Sequence, residues 1–385
     1  MECGFVSLNK YCEKICGDYY TMVKKKNATT IVLSDGLGSG IKANILATLT
    51  AKILSTMMAE NMSIEDSVYT VAKTLPLCKV RNLAYSTFTI FQLGHFDNNA
   101  YLAQFDNPNA ILMRDGKNYP YLSTCKIINE KEIYESNIKL RIGDMLILLT
   151  DGVTSAGLGR VTINGWQREE VIKFIERWYT PTMSPQRMAS AISDACMDLS
   201  LDNPQDDCTV AVFKIRKRQV VNLIIGPPEK IEEDKMILKL FFSKFGKKVV
   251  CGGSTSKMVS KYLNKPIEII NTSGDEEIPA MASIEGVDLV TEGVITLSKV
   301  VELGRKYVKN TTISLDLEHK ADGASLLAKM LFEEATDINF FVGKAINPGH
   351  EIDGLKINSS LKKNFIRELE SLLIKMDKKV KISLC

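Results

Sequence analysis

The sequence predicts two domains of different class: an α+β domain over residues 1–217, then an α/β domain with a mostly parallel sheet over residues 218–385. Three observations carry this. Up to residue 214, short apolar strands separated by turn residues stand between pairs of helices, as in a layered antiparallel domain. Beyond residue 220, strands and helices alternate, as in an open parallel sheet covered on both faces. Between the two, "CTVAVFKI" closes one block, the basic "RKRQ" links, and the apolar "VVNLIIG" opens the next. At 385 residues the chain is also too long for one ordinary core.

The elements follow in order. "TTIVLSD" is a buried strand, and "GIKANILATLTAKILSTMMAENM" keeps apolar residues at helical spacing. "SIEDSVYTVAKTL" is a second helix, with Ser63 as its N-cap and Asp66 at the capping-box position. "AYSTFTIFQLG", "NAYLAQFDN", "AILMRDG" and "MLILLTDG" are short strands broken by "HFDNN", "DNPN" and "RDGK", so an antiparallel meander is expected. Helices "REEVIKFIERWY" and "SPQRMASAISDACMDLS" precede the last strand. In the second domain the expected strands are "VVNLIIG", "KKVVCGG", "PIEII", "INFFVG" and "KVKISL". The helices between them are "EDKMILKLFFSKFG", "TSKMVSKYLN", "VITLSKVVELGRKYV", "DGASLLAKMLFEEA" and "LKKNFIRELESLLIKM".

Composition narrows the function. The chain is 45% hydrophobic and 25% charged, an ordinary globular balance. A net charge of +3 argues against nucleic-acid binding driven by bulk charge. No apolar run approaches the roughly 18 residues that span a bilayer, so no membrane association is expected. The start carries charges where a secretory signal would be apolar. Nine cysteines in such a chain suggest free thiols in a reducing cytoplasm. "CEKIC" has a C-x3-C spacing that could serve a metal, although small buried side chains are the plainer reading. His95, His319 and His350 are scattered and make no zinc constellation.

Chemistry concentrates in acids at strand ends. In "IVLSDGLGSG", Asp35 stands at the mouth of a glycine-rich loop of the kind that brings backbone N–H groups to an anion. A bare carboxylate there would repel that anion unless a cation lies between. The Gly36, Gly38, Gly40 spacing also fits a dinucleotide turn, but Asp35 and the meander that follows do not. Asp18 in "CGDYY", Asp151 in "LILLTDGV", and Asp206 and Asp207 in "NPQDDCTVAVFKI" share the setting. Clustered carboxylates repel one another unless cations offset the charge, and hard oxygen donors favour Mg²⁺ or Mn²⁺.

The ordered set "CGD…SDGLGSG…TDGV…DDCTVAVF" resembles the SpoIIE-like branch of the PPM (2C-type) metal-dependent Ser/Thr protein phosphatases over roughly residues 4–215. The resemblance implies an αββα sandwich with two divalent cations, Mn or Mg, between the sheets. It implies hydrolysis of phosphoserine or phosphothreonine on a protein substrate by a metal-activated water. Carried over by position, Asp35 bridges both metals and the Gly36 carbonyl binds one. Asp151 and Asp206 hold the second, and Asp18 binds directly or through water. Asp207 is the alternative to Asp206, which is preferred because it lies three residues before Thr209. The phosphate-binding Arg of eukaryotic members has no clear counterpart, and Lys14 is the nearest cation in sequence. The helix after Gly40 is read as core-facing, with a switch of metal binding as the functional alternative.

The second domain is less legible. "VVCGGSTSKMV" places Gly252, Gly253, Ser254 and Thr255 between a strand and a helix, a seat for a small anionic ligand or a plain turn capped by Ser254. Glu285, Asp288 and Glu292 could line a polar pocket facing that turn. Three functions stay open: a protein phosphatase with a ligand-sensing second domain, a metal-free pseudophosphatase serving as a binding module, and an α/β enzyme regulated by a phosphatase-like domain. A homodimer is also open.

Overall fold

A computed structural model describes residues 1–75, 86–270, 281–309, 322–345, 351–352, 355–356 and 359–385. The chain divides into two compact units, Met1–Arg216 and Lys217–Cys385.

In the first unit, two antiparallel sheets stack face to face. One runs in the order β1 (Glu2–Leu8), β11 (Cys208–Lys214), β10 (Met145–Leu149), β6 (Ile111–Arg114), β7 (Lys117–Asn118). The other runs β2 (Tyr19–Lys24), β3 (Ala28–Asp35), β4 (Thr87–Gly94), β5 (Asn99–Phe105), β9 (Lys131–Lys139), β8 (Thr124–Ile128). Between them Ile31, Leu33 and Phe91 meet Leu146, Leu148 and Phe213, all nearly fully buried. Each such side chain contributes about 1.5–3 kcal/mol on burial. The outer face of the second sheet is covered by α1 (Gly40–Ala59) and α2 (Ile64–Thr74) through Leu54, Val68 and Phe88. The outer face of the first is covered by α4 (Arg168–Trp178) and α5 (Pro185–Leu199) through Val171, Ile192 and Val210. This is the expected αββα sandwich. A four-residue helix, α3 (Asp151–Thr154), follows β10.

Local chemistry sets the boundaries. Ser63 caps α2 by accepting the Asp66 N–H at 3.1 Å, and its hydroxyl donates to the Asp66 carboxylate at 2.7 Å. α1 buries Ala43, Ala47, Ala51 and Leu54 while Ile41, Ile45 and Leu49 stay exposed, so its core-facing role holds for one side of the helix only.

The second unit carries a seven-stranded sheet in the order β14 (Glu268–Ile270), β15 (Met281–Ser283), β16 (Leu289–Thr291), β13 (Lys247–Cys251), β12 (Val220–Ile225), β17 (Asp337–Val342), β20 (Lys379–Leu384). The five strands from β16 to β20 are parallel, and β14 and β15 extend the edge antiparallel. Here the structure departs from strict alternation. The "PIEII" strand is an edge addition, and the third parallel strand is the three-residue β16, too short to announce itself by pattern. α6 (Asp234–Ser243) and α7 (Gly253–Leu263) pack with Ile224 and Val250 on one face. α8 (Val294–Lys309), α9 (Gly323–Lys329) and α10 (Ser359–Lys375) pack with Leu223 and Phe340 on the other. A small hairpin of β18 (Glu351–Ile352) and β19 (Leu355–Lys356) completes the elements described.

Candidate active site

The strand registers bring the acids together. Tyr19 pairs with Ser34, which sets Asp18, just before β2, beside Asp35 at the end of β3. Leu149 pairs with Val210, which sets Asp151, just after β10, beside Asp206 and Asp207, just before β11. Two acids therefore come from one sheet and three from the other, at the same end of the sandwich. Thr150 ties the two sheets there. Its hydroxyl donates to Asp18 Oδ2 at 2.8 Å and accepts the Thr209 N–H at 2.8 Å.

Charge dominates the site. Burial, then the Asp18 and Asp151 charges, a hydrogen bond to Asp151 and the Asp206 charge push the Asp35 carboxyl up to about 10. Burial pushes Asp18 up to about 7 against the pull of Thr209 and Thr150, with the Asp207 and Asp151 charges adding to the rise. Asp206 is raised by burial and Asp151, and Lys10 opposes this. Asp18 Oδ1 and Asp207 Oδ2 are buried without a hydrogen-bond partner. Buried, unpaired carboxylate oxygens are costly unless a cation meets them. The donor set thus fits hard divalent cations. Among the described residues no group of three or more His, Cys, Asp or Glu side chains is drawn tightly enough to hold an ion as it stands.

Asp206 and Asp207 lie in the bend before β11, not on the strand, so simple face alternation does not separate them. Their partners do. Asp206 acts on Asp35 and accepts the Asp207 N–H at 3.0 Å. Asp207, 3% exposed, accepts the Lys10 N–H at 3.0 Å and faces Gly17 and Asp18. Glycine is required at Gly152, where a Cβ would lie 2.1 Å from the Asp207 carbonyl oxygen, and at Gly36, where it would lie 2.2 Å from that of Ala43.

The glycine-rich loop after Asp35 already has an anion. Glu13 accepts the Ser39 hydroxyl at 3.1 Å, and its carboxylate lies against Gly40 at the start of α1. Glu13 belongs to a loop spanning residues 9–17, fastened by Asn44 Nδ2 to the Cys16 carbonyl at 2.8 Å and by the Tyr11 N–H to the Pro204 carbonyl at 2.8 Å. Lys14, the nearest cation in sequence, is exposed, as a solvated lysine is; Lys10 is a cation that acts on Asp206. Lys14 stands four residues before Asp18 and Lys10 eight, but distance along a loop does not say which side chain turns toward the acids. The Cys16 thiol shares a hydrogen bond with Ser7 Oγ at 2.9 Å, and burial with the Asp18 charge pushes it up to about 12, while Cys12 is exposed. His95 binds Thr29 Oγ1 at 2.8 Å, far from any acid cluster in sequence; His319 and His350 lie outside the described residues. The eight cysteines described are free. A cavity of about 660 Å³ opens beside Asp151, lined by Asp106, Asn107, Lys131 and Tyr134 among others.

The family model "Stage II sporulation protein E (SpoIIE)" matches residues 25–216. This stretch is a SpoIIE domain. In the sequence it is followed by the α/β unit, Lys217–Cys385. Stage II sporulation protein E of Bacillus subtilis is 25% identical over 207 residues, 52% of this chain and 24% of that protein. Phosphoserine phosphatase RsbU of the same organism is 25% identical over 226 residues, 56% of this chain and 63% of that protein. The chain therefore covers less than two thirds of either relative. A solved PP2C phosphatase domain of Bacillus subtilis SpoIIE, with a fragment of its regulatory domain, is 20% identical with a TM-score of 0.48, covering 56% of this chain and 63% of that one.

In the second unit the predicted seat is laid out differently from a capped turn. Gly252 is the N-cap of α7 and no side chain caps the helix. Thr255 Oγ1 instead accepts the Gly226 N–H at 2.8 Å. The acids expected to face it have other duties. Glu285 pairs with Lys265, Asp288 accepts the Lys248 N–H at 2.7 Å, and Glu292 caps α8 through the Ile295 N–H at 3.0 Å.

Proposed function

We propose that the chain is a cytoplasmic, metal-dependent phosphatase that removes phosphate from phosphoserine or phosphothreonine on a protein substrate in bacterial signalling. One observation carries the reading: Asp18, Asp35, Asp151 and Asp206 converge from two sheets, with carboxyls destabilised by burial and by one another. Asp35, the Gly36 carbonyl, Asp151 and Asp206 would hold two Mn²⁺ or Mg²⁺ ions, with Asp18 binding directly or through water. Such ions, when bound, lower the pKa of water toward neutrality and offset the charge on phosphate oxygens. The chain's own residues do the positioning. Thr150 fixes the Asp18 carboxylate, the Lys10 loop closes one flank, and the cavity beside Asp151 offers room for the segment that flanks the phosphorylated residue. The resemblance to a protein named phosphoserine phosphatase supports the substrate class. The test is turnover of a chromogenic phosphate ester and a phosphoserine peptide with and without Mn²⁺. Asp35→Asn and Asp151→Asn should abolish it. Full activity in Asp35→Asn would overturn the assignment.

A further inference from the structure

The carboxyl edge of the second sheet carries a glycine beyond each of four neighbouring parallel strands: Gly293 beyond β16, Gly252 after β13, Gly226 after β12 and Gly343 after β17. β12 and β17 form the switch pair. From β12 the chain builds outward to β13 and β16, then returns to add β17 on the other side. In open α/β sheets ligands bind outside the carboxyl ends at such a point.

A buried cation stands there. Lys362 of α10 is 7% exposed, and its Nζ lies 2.6 Å from the position a Cβ on Gly226 would take. It donates to the Gly343 carbonyl. Among the described residues it has no second acceptor and no carboxylate partner. Two other buried lysines are satisfied differently: Lys214 bonds the Pro181 and Met183 carbonyls, and Lys248 those of Lys244 and Gly246. Burial and the neighbouring Lys363 hold the Lys362 ammonium below the usual lysine range. Gly226 also touches the α7 N-terminus, through its N–H on Thr255 Oγ1. Beside it, α7 has no side-chain cap and Gly253 faces open space. The neighbouring α8 shows what an occupied terminus looks like, since Glu292 holds its first N–H groups.

We infer that this crevice binds a phosphate-bearing small molecule, with its phosphate between the Lys362 ammonium and the N-terminus of α7. The inference stands apart from the phosphatase reading. It is tested on the full-length chain carrying Asp35→Asn, in chelator, so that phosphate binding at the first unit's acids does not contribute. Inorganic phosphate and ADP serve as probes, read by hydrogen–deuterium exchange over residues 226–230 and 252–256 and by titration calorimetry. Either probe should slow exchange in both segments; protection by ADP alone assigns a nucleotide, and by both a phosphate group. Lys362→Met, which keeps length and packing, should weaken binding by about tenfold or more, the loss of one charged contact. Gly253→Val, placed in open space, should do the same without disturbing the fold. No protection by either probe at millimolar concentration, or affinity unchanged in both variants, overturns the inference.

Discussion

Replacing Asp35 by Asn should stabilise the metal-free protein while removing activity. The folded state holds the Asp35 proton up to about pH 10, whereas an ordinary carboxylate releases it near 3.8. Between those values the unfolded chain has lost a proton that the folded chain keeps, so stability falls as pH rises. At about 1.4 kcal/mol per pH unit, the interval from 3.8 to 7 amounts to about 4 kcal/mol of destabilisation. Asn keeps the size of the side chain and removes the titration. Asp18 and Asp151 share the same field and can relax, so a gain of about 2–4 kcal/mol at pH 7 is expected. For a unit of this size that is roughly 5–15 °C in melting temperature. The assay is calorimetry in chelator at pH 4.5, 7 and 8.5, with the first unit identified as the transition that Mn²⁺ shifts in the wild type. The gain should vanish near pH 4.5 and grow toward pH 8.5, and Mn²⁺ should stabilise the variant far less. An Asp35→Asn protein that melts at or below the wild type at pH 8.5, or a gain independent of pH, would refute the electrostatic argument.

Three further outcomes follow from particular contacts. Asp206→Ala should reduce turnover of a phosphate ester far more than Asp207→Ala at saturating Mn²⁺, because Asp206 faces Asp35 while Asp207 is engaged by the Lys10 N–H; equal losses would mean that both carboxylates serve the site. Thr150→Val deletes a hydroxyl bonded to both Asp18 and Thr209, and should cost about 1–3 kcal/mol in chemical denaturation, with a further rise in the Asp18 pKa readable by NMR. Asp144→Asn breaks a buried bidentate pair with Arg114, at 2.9 and 2.6 Å, and should cost about 3–5 kcal/mol with no change in kcat for the folded fraction.

Much of the fold was legible because the relevant elements are long or strongly patterned: β3, α1, α2 and β10 all lie where apolar spacing sets them. β1 was not, since "ECGFVSL" has weak strand character and exists as a strand through its pairing with β11, more than 200 residues away. The β8–β9 hairpin was missed for a different reason. It is a polar edge turned by Asn129 and Glu130, both at positive φ, without the Asn-Gly signature of such turns. The acids were found because each sits beside an apolar strand, and their mutual approach follows from strand register. Glu13 and Lys10 were not, because a nine-residue loop with no period gives no direction to its side chains. In the second unit, the glycine turn was legible but Lys362 was not, as a lysine on an amphipathic helix reads as solvated until the sheet beneath it is known.

The pairing of β1 with β11 also orders events during synthesis. Glu2 aligns with Lys214, and its carboxylate meets Arg216 at 2.5 Å, so the two ends of the first unit are sewn together. The sheet of β2 to β5 can form from neighbours close in sequence, while the other must wait for its last strand, with a long loop to close. Asp18 and Asp35 are in place early; Asp206 arrives last. A nascent chain halted anywhere before residue 206 lacks Asp206 and β11 and has no means of completing the acidic cluster. The proposed site would thus be complete only once β11 has left the ribosome.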